Sequence, residues 1–161
     1  MKNKIKSVNN LVNVVNRLKK KGKKIVFTNG CFDLLHIGHI RYLKKAKKLG
    51  DVLIVAINSD DSVRRLKGDG KPIVPQSDRA EILSEFPFVD FVTIFKEDTP
   101  LNTIKKILPN ILVKGSDWSK DKIVGADIVK SNGGKVITIP LVRGKSTSNI
   151  IKKVIELWRK K

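Results

Sequence analysis

Acidic side chains are scarce in this sequence. Only 15 Asp and Glu stand against 34 Lys and Arg in 161 residues, a formal net charge of +19. Such a surplus creates a positive potential that draws in polyanions, and nucleic acid is the first partner it suggests. Aromatic residues are scarce as well, with two Trp, one Tyr and six Phe to stack on bases. The cations are mostly Lys and run along helical stretches such as Arg17 to Lys24 and Lys44 to Lys48. That pattern fits a solvated basic face better than a base-stacking groove, so nucleic acid is not the expected substrate. Cysteine occurs once, at Cys31, which excludes an intramolecular disulfide and fits a reducing compartment. No stretch approaches 18 apolar residues, and no apolar run with a small-residue cleavage site follows the basic N-terminus. The expectation is a cytoplasmic chain with no membrane partner.

What is present is an alternation of periods. A chain of this length is one domain by the usual prior and buries roughly two-thirds of the surface its unfolded form exposes. Val8, Leu11, Val12, Val15 and Leu18 recur at helical spacing up to Gly22. A short β-rich run, Lys24 to Thr28, follows, then a helical pattern from about Gly38 to Leu49. Val52 to Ile57 is continuously apolar, as in a strand buried on both faces of a parallel sheet. Further along, Arg79 to Glu85 reads as a helix, Phe88 to Phe95 as a strand, Leu101 to Leu108 as a helix and Ile111 to Lys114 as a strand. Gly125 to Asn132 reads as a helix, Val136 to Ile139 as a strand and Asn149 to Arg159 as a closing helix. This predicts an α/β fold, a Rossmann-like doubly wound sheet of about five parallel strands in a single domain. Its expected parts are an N-terminal helix within 1–22, a core over 23–148 and a C-terminal helix within 149–161.

In such a sheet ligands bind beyond the carboxyl ends of the strands, so the loop after the first strand is the place to look. It reads Asn29-Gly30-Cys31-Phe32-Asp33-Leu34-Leu35-His36-Ile37-Gly38-His39. Gly30 allows close approach of backbone to a ligand, and Gly38 at a helix start leaves amides open to a phosphate. His36 and His39 are the only histidines in the chain and sit three apart, on one face of a first turn. Three readings stay open for them: structural histidines at a helix start, half of a metal site, or donors to a triphosphate. Zinc is disfavoured because the lone cysteine and scattered carboxylates offer no second pair of ligands at motif spacing, and no protein metal site is expected. The triphosphate reading has a clear chemical logic. Attack on an α-phosphorus spreads negative charge over equatorial oxygens and departing pyrophosphate, which fixed imidazole donors and helix amides stabilise without covalent chemistry.

His36-Ile37-Gly38-His39 resembles the H-x-G-H signature of the cytidylyltransferase-like nucleotidyltransferases, a branch of the HIGH superfamily. Gly144-Lys145-Ser146-Thr147-Ser148-Asn149-Ile150 is similar to the second signature, I-S-T-T-x-I, with Lys145 where isoleucine is frequent and Ser148 for the second threonine. Several further segments are similar to the adenylyltransferase domain of the bifunctional ADP-heptose synthesis proteins, over about residues 8 to 155. They include Phe27 to Asp33, Ala56 to Val63, Arg65 to Gly68, Glu97 to Pro100, Val113 to Trp118, Ile123 to Asp127 and Gly133-Gly134.

This resemblance implies transfer of AMP from ATP, with Mg²⁺, to a small sugar phosphate, D-glycero-β-D-manno-heptose 1-phosphate. The products would be ADP-heptose, for lipopolysaccharide or S-layer glycan precursors, and pyrophosphate. It also implies roles. His36 and His39 would stabilise the transition state, and Lys67 after the second strand would contact phosphate. Arg79 would help hold the triphosphate or sugar phosphate, Ser146 with Thr147 would grip the β- and γ-phosphates, and Ser148 would join them in binding the nucleotide. Asn29, Gly30, Cys31, Phe32 and Asp33 would line the floor, while Lys114, Gly115, Asp117 and Trp118 would border base and ribose. Cys31 reads as a small packing residue rather than a nucleophile. A homodimer is the usual assembly of the resembling family, and the apolar face of the first helix is a candidate contact. Sister enzymes, such as glycerol 3-phosphate cytidylyltransferase or FAD synthetase-like adenylyltransferases, share both signatures and differ in the acceptor pocket.

Overall fold

The computed structural model describes residues 3–117, 119 and 122–160. Helix α1 (Val8–Lys20) is capped by Ser7, whose side chain accepts from the Asn10 amide. It leads into β1 (Ile25–Gly30), α2 (Ile37–Lys47), β2 (Val52–Asn58), α3 (Asp60–Lys67), α4 (Gln76–Glu85) and β3 (Phe91–Phe95). The second half runs α5 (Leu101–Ile107), β4 (Ile111–Gly115), α6 (Ala126–Ser131), β5 (Lys135–Ile139) and α7 (Thr147–Trp158). The five strands form one parallel sheet in the order β3-β2-β1-β4-β5, as the alternation predicts. α3 is the element the alternation did not predict. Its apolar content is only Val63 and Leu66, so its periodic signal is weak, yet Ser59 caps it through the Ser62 amide and two aspartates occupy its first turn.

Strand residues alternate between the two sides of the sheet. Val26, Leu53, Val55 and Ile57 face a layer with Leu43 and Ala46 of α2 and Ala80 and Leu83 of α4. Ile25, Phe27, Ile54 and Ala56 face Leu11 and Val15 of α1, Ile104 and Ile107 of α5 and Val129 of α6. Burial of both faces explains why β2 reads as one unbroken apolar run. The face of α1 is thus filled by its own domain, whereas α7 has no buried residue and exposes Val154, Ile155, Leu157 and Trp158. Residues 4–6 run beside β3, where the Lys6 amide donates to the Val92 carbonyl (2.9 Å) and the Val92 amide to the Lys4 carbonyl (3.0 Å). Among the described residues no helix is long and apolar enough to cross a membrane.

Candidate active site

The chain winds from β1 outward to β3, then returns to start again at β4 beside β1. The carboxyl ends of β1 and β4 therefore diverge, and the crevice between them is where an open α/β sheet receives ligands. Lys114, at the end of β4, spans this crevice: its Nζ donates to the Asn29 carbonyl (3.2 Å) and to Asn29 Oδ1 (3.3 Å). Burial pulls the Lys114 ammonium below its ordinary pKa, with Asp117 and Cys31 acting in the opposite sense. Asp117 is exposed beyond the strand, and its Oδ1 crowds the position a Cβ on Gly115 would take. Trp118 lies outside the described residues.

The loop from β1 to α2 carries both histidines, and their geometry is more specific than shared helical spacing. His36 is the N-cap of α2, not a residue of its first turn. Its Nδ1 accepts from the Gly38 amide at 3.1 Å, while its own amide donates to Nδ1 of His39 at 3.3 Å. This reciprocal box stacks the two rings, with centroids 3.9 Å apart and planes at 28°. An Nδ1 that accepts a hydrogen bond carries no proton, so in each neutral ring the proton is assigned to Nε2, the nitrogen turned away from the backbone.

The environment keeps the rings neutral. Burial first, then His36 and Lys67, pull His39 down to about 4; burial and Lys145 lower His36. At neutral pH the pair therefore presents two N–H donors and no charge of its own. Between pH 6.5 and 4 the unfolded chain binds a proton that folded His39 refuses. Its contribution to stability is fully present above 6.5 and is lost as the pH falls to about 4. A triphosphate beside the rings reverses the cationic influence. In an NMR titration the His39 Hε1 resonance should inflect near 4 in the free protein and at higher pH with a non-hydrolysable ATP analogue bound. An unmoved midpoint would separate His39 from the phosphates.

Gly38 is indispensable here for steric reasons. A Cβ at that position would stand 2.8 Å from Cε1 and Nδ1 of His36. We expect Gly38→Ala to turn the His36 ring and lower turnover by about 10²-fold, the scale of a 1 Å misplacement, with far-UV circular dichroism unchanged. Gly30 meets the expectation differently. Its missing side chain leaves room for the Phe32 ring, 3.1 Å from where a Cβ would be. Phe32 adopts a left-handed backbone (φ 47°) and buries its ring 5.4 Å from that of His39. A non-glycine residue pays on the order of 1 kcal/mol for that conformation, so local strain sits directly beneath the histidine pair.

Other expected contacts are placed as follows. Asp33 is buried, and its carboxylate accepts from the amides of Ile73 (2.9 and 3.0 Å) and Val74 (2.9 Å). It ties the loop before α4 to the histidine loop. The Cys31 thiol lies 4.0 Å from Asn58 Oδ1, in keeping with a packing role. Lys67 is the last residue of α3, exposed and near enough to His39 to depress it. Ser146 caps α7 by accepting from the Asn149 amide (3.1 Å), and the Thr147 hydroxyl donates to the Leu34 carbonyl (3.2 Å). The Thr147 hydroxyl thus braces α7 against the histidine loop while that of Ser146 caps the helix itself, and Ser148 is exposed in its first turn. That turn has amides with no intrahelical acceptor, which suit an anion.

Arg79 requires a correction. It was expected at a phosphate, but it is fully buried. Nε donates to Val74 O (2.9 Å), Nη1 to Cys31 O (2.5 Å), and Nη2 to Asn58 O (3.0 Å) and Asp60 Oδ1 (2.6 Å). Its guanidinium is a strut joining the loops after β1 and β2, with four of its five N–H donors spent on protein acceptors. Sequence reasoning gave no role to Asn58, Asp60 or Lys145. The position of Asn58 at the carboxyl end of β2 was the available signal for the first, and the departure of Lys145 from the family signature for the last.

A switch-point crevice with a fixed pair of imidazole donors, facing a helix start and framed by cations, is the apparatus of a nucleotidyltransferase. Residues 27–153 match the family model described as Cytidylyltransferase-like, and the chain belongs to that family. Over 155 residues, 96% of this chain and 32% of the relative, it is 50% identical to the "Bifunctional protein HldE" of Geobacter metallireducens. Over 138 residues, 86% of this chain and 29% of the relative, it is 56% identical to the protein of the same name from Campylobacter fetus subsp. fetus. The chain spans about a third of the length of these curated relatives. The solved structure of the lipopolysaccharide core biosynthesis protein from Thermoplasma volcanium superposes with a TM-score of 0.63 at 32% identity, covering 77% of this chain and 100% of that one. Pantoate-beta-alanine ligase from Francisella tularensis, solved with Beta-gamma ATP and Beta-alanine, gives 0.63 at 18% identity over 94% of this chain and 78% of that one. At that identity the likeness concerns the fold alone.

Proposed function

We propose that this nucleotidyltransferase moves AMP from ATP to D-glycero-β-D-manno-heptose 1-phosphate, releasing pyrophosphate and ADP-heptose. The stacked histidine pair with both Nδ1 atoms tied to backbone is the observation that carries the chemistry. A phosphate oxygen of the acceptor forms the new bond to the α-phosphorus, the bond from that phosphorus to the β-bridging oxygen breaks, and pyrophosphate departs with the electron pair. The acceptor oxygen is already anionic near neutral pH, so no side chain has to remove a proton. The two Nε2–H groups meet negative charge as it develops on the α-phosphoryl oxygens, while the first-turn amides of α7 take the far end of the triphosphate. The choice of acceptor is supported by the HldE relatives, at about half identity over nearly the whole chain.

Mg²⁺ belongs to this proposal as the partner of ATP, where it neutralises phosphate charge. Among the described residues no three His, Cys, Asp or Glu side chains cluster to hold a metal, and Asp33 is taken by backbone amides. The fit is to an ion carried mainly by phosphate oxygens and water. A homodimer and a cytoplasmic location are also part of the reading. The contact surface we assign is α7 rather than α1, because α1 packs on its own domain and α7 leaves its apolar residues exposed; sedimentation would read the assembly. The deciding assay is pyrophosphate release with Mg²⁺, offering ATP or CTP with the heptose phosphate or glycerol 3-phosphate. Release with ATP and the heptose phosphate alone supports the assignment, whereas release with CTP and glycerol 3-phosphate replaces it with a sister activity.

A further inference from the structure

Two buried polar side-chain atoms lack a hydrogen-bond partner among the described residues: Oγ1 of Thr93, inside β3, and Nζ of Lys71. An unmet hydroxyl is a minor defect. A buried ammonium with no acceptor is far more unfavourable, and a fold tolerates it best where a bound anion supplies what the protein does not.

Lys71 lies in the loop between α3 and α4, and both ends of that loop lie near the histidine site. At one end Lys67 stands close enough to His39 to depress it. At the other, the amides of Ile73 and Val74 are bound by Asp33, and the Val74 carbonyl by Arg79. Lys71 is four residues from Lys67 and two from Ile73, so its backbone belongs to the segment that Asp33 ties to the β1–α2 loop. The cations of the site fall on two flanks. Lys145 and the first turn of α7 adjoin His36, and Lys67 acts on His39, with Lys71 in the loop that follows Lys67. Phosphate-to-phosphate transfer needs such a division, because two anions must meet at one phosphorus without repelling each other apart.

Resting on the transferase reading above, we propose that Lys71 seats the phosphoryl oxygens of the acceptor, a phosphate monoester, while the α7 flank takes the triphosphate. A charge-assisted hydrogen bond of this kind is worth about 10- to 100-fold in binding. The test compares the full chain with Lys71→Met and Lys71→Arg. For Lys71→Met we expect the KM for the sugar 1-phosphate to rise about 10- to 100-fold, with the Kd of a non-hydrolysable ATP analogue, read by calorimetry, within about twofold of the parent. Lys71→Arg should recover most of the loss. An equal weakening of the ATP analogue would assign Lys71 to the triphosphate and overturn the proposal, as would an unchanged KM. A second arm needs no turnover. Inorganic phosphate should raise the Tm of the parent and of Lys71→Arg but not of Lys71→Met, whose ligand-free Tm should equal or exceed that of the parent. Phosphate protection of all three alike, or a ligand-free Tm several degrees lower in Lys71→Met, would make the residue structural and sink the idea. If no acceptor turns over yet phosphate protection is lost only in Lys71→Met, the anion seat stands and the heptose reading fails.

Discussion

His39→Ala is expected to lower turnover by about 10² to 10³-fold, the scale of removing one preorganised donor to a developing oxyanion, with the chain still folded. The variant loses the Nε2–H that meets the α-phosphoryl charge and also the Nδ1 that accepts from the His36 amide, which frees the stacked His36 ring. His39→Asn separates the two losses, because its side-chain oxygen can still accept from that amide while the distal donor is gone. Single-turnover pyrophosphate release measures both variants. Turnover within threefold of the parent in either would remove the histidine from the mechanism.

The largest effect on stability is expected at Arg79. Truncation to alanine strands the Asp60 carboxylate and three carbonyls, those of Cys31, Asn58 and Val74, around the space the buried guanidinium filled. Breaking a buried pair of this kind costs about 3 to 5 kcal/mol, a large share of what a domain of this size possesses. Urea denaturation followed by circular dichroism should show a midpoint displaced accordingly, and Arg79→Lys should recover little because one ammonium cannot reach four acceptors in a fork. A parent-like urea midpoint combined with weaker ATP binding would return Arg79 to the ligand.

The contrast between these two residues marks what the sequence could convey. β1 and β2 were legible because strands buried on both faces must be apolar at every position, and the histidines because a chain with only two places them three apart beside a glycine. Arg79 was not legible. A basic residue in a chain of charge +19 looks the same whether it faces phosphate or carbonyls, and its partners lie 5 to 48 residues away. The hydroxyls of the second signature behave likewise. Ser146 and Thr147 mark a helix start in sequence, but that Thr147 braces Leu34 across 113 residues is a property of the closed fold. α3 was lost for a different reason, since a helix that buries only Ser62 and Val63 shows almost no apolar period.

The ties that align the histidine loop also set an order in time. Asp33 to Val74, Cys31 to Arg79 and Leu34 to Thr147 join segments 41, 48 and 113 residues apart. Contacts of such separation close late, because the chain must surrender its loop entropy before they form. The βαβ unit that houses both imidazoles can assemble early from local pairing, and its loop gains the last of these ties only when Thr147 reaches Leu34. During synthesis, then, the histidines are made 113 or so residues ahead of the hydroxyl that completes the bracing of their loop, and the site matures in the order in which its supports emerge.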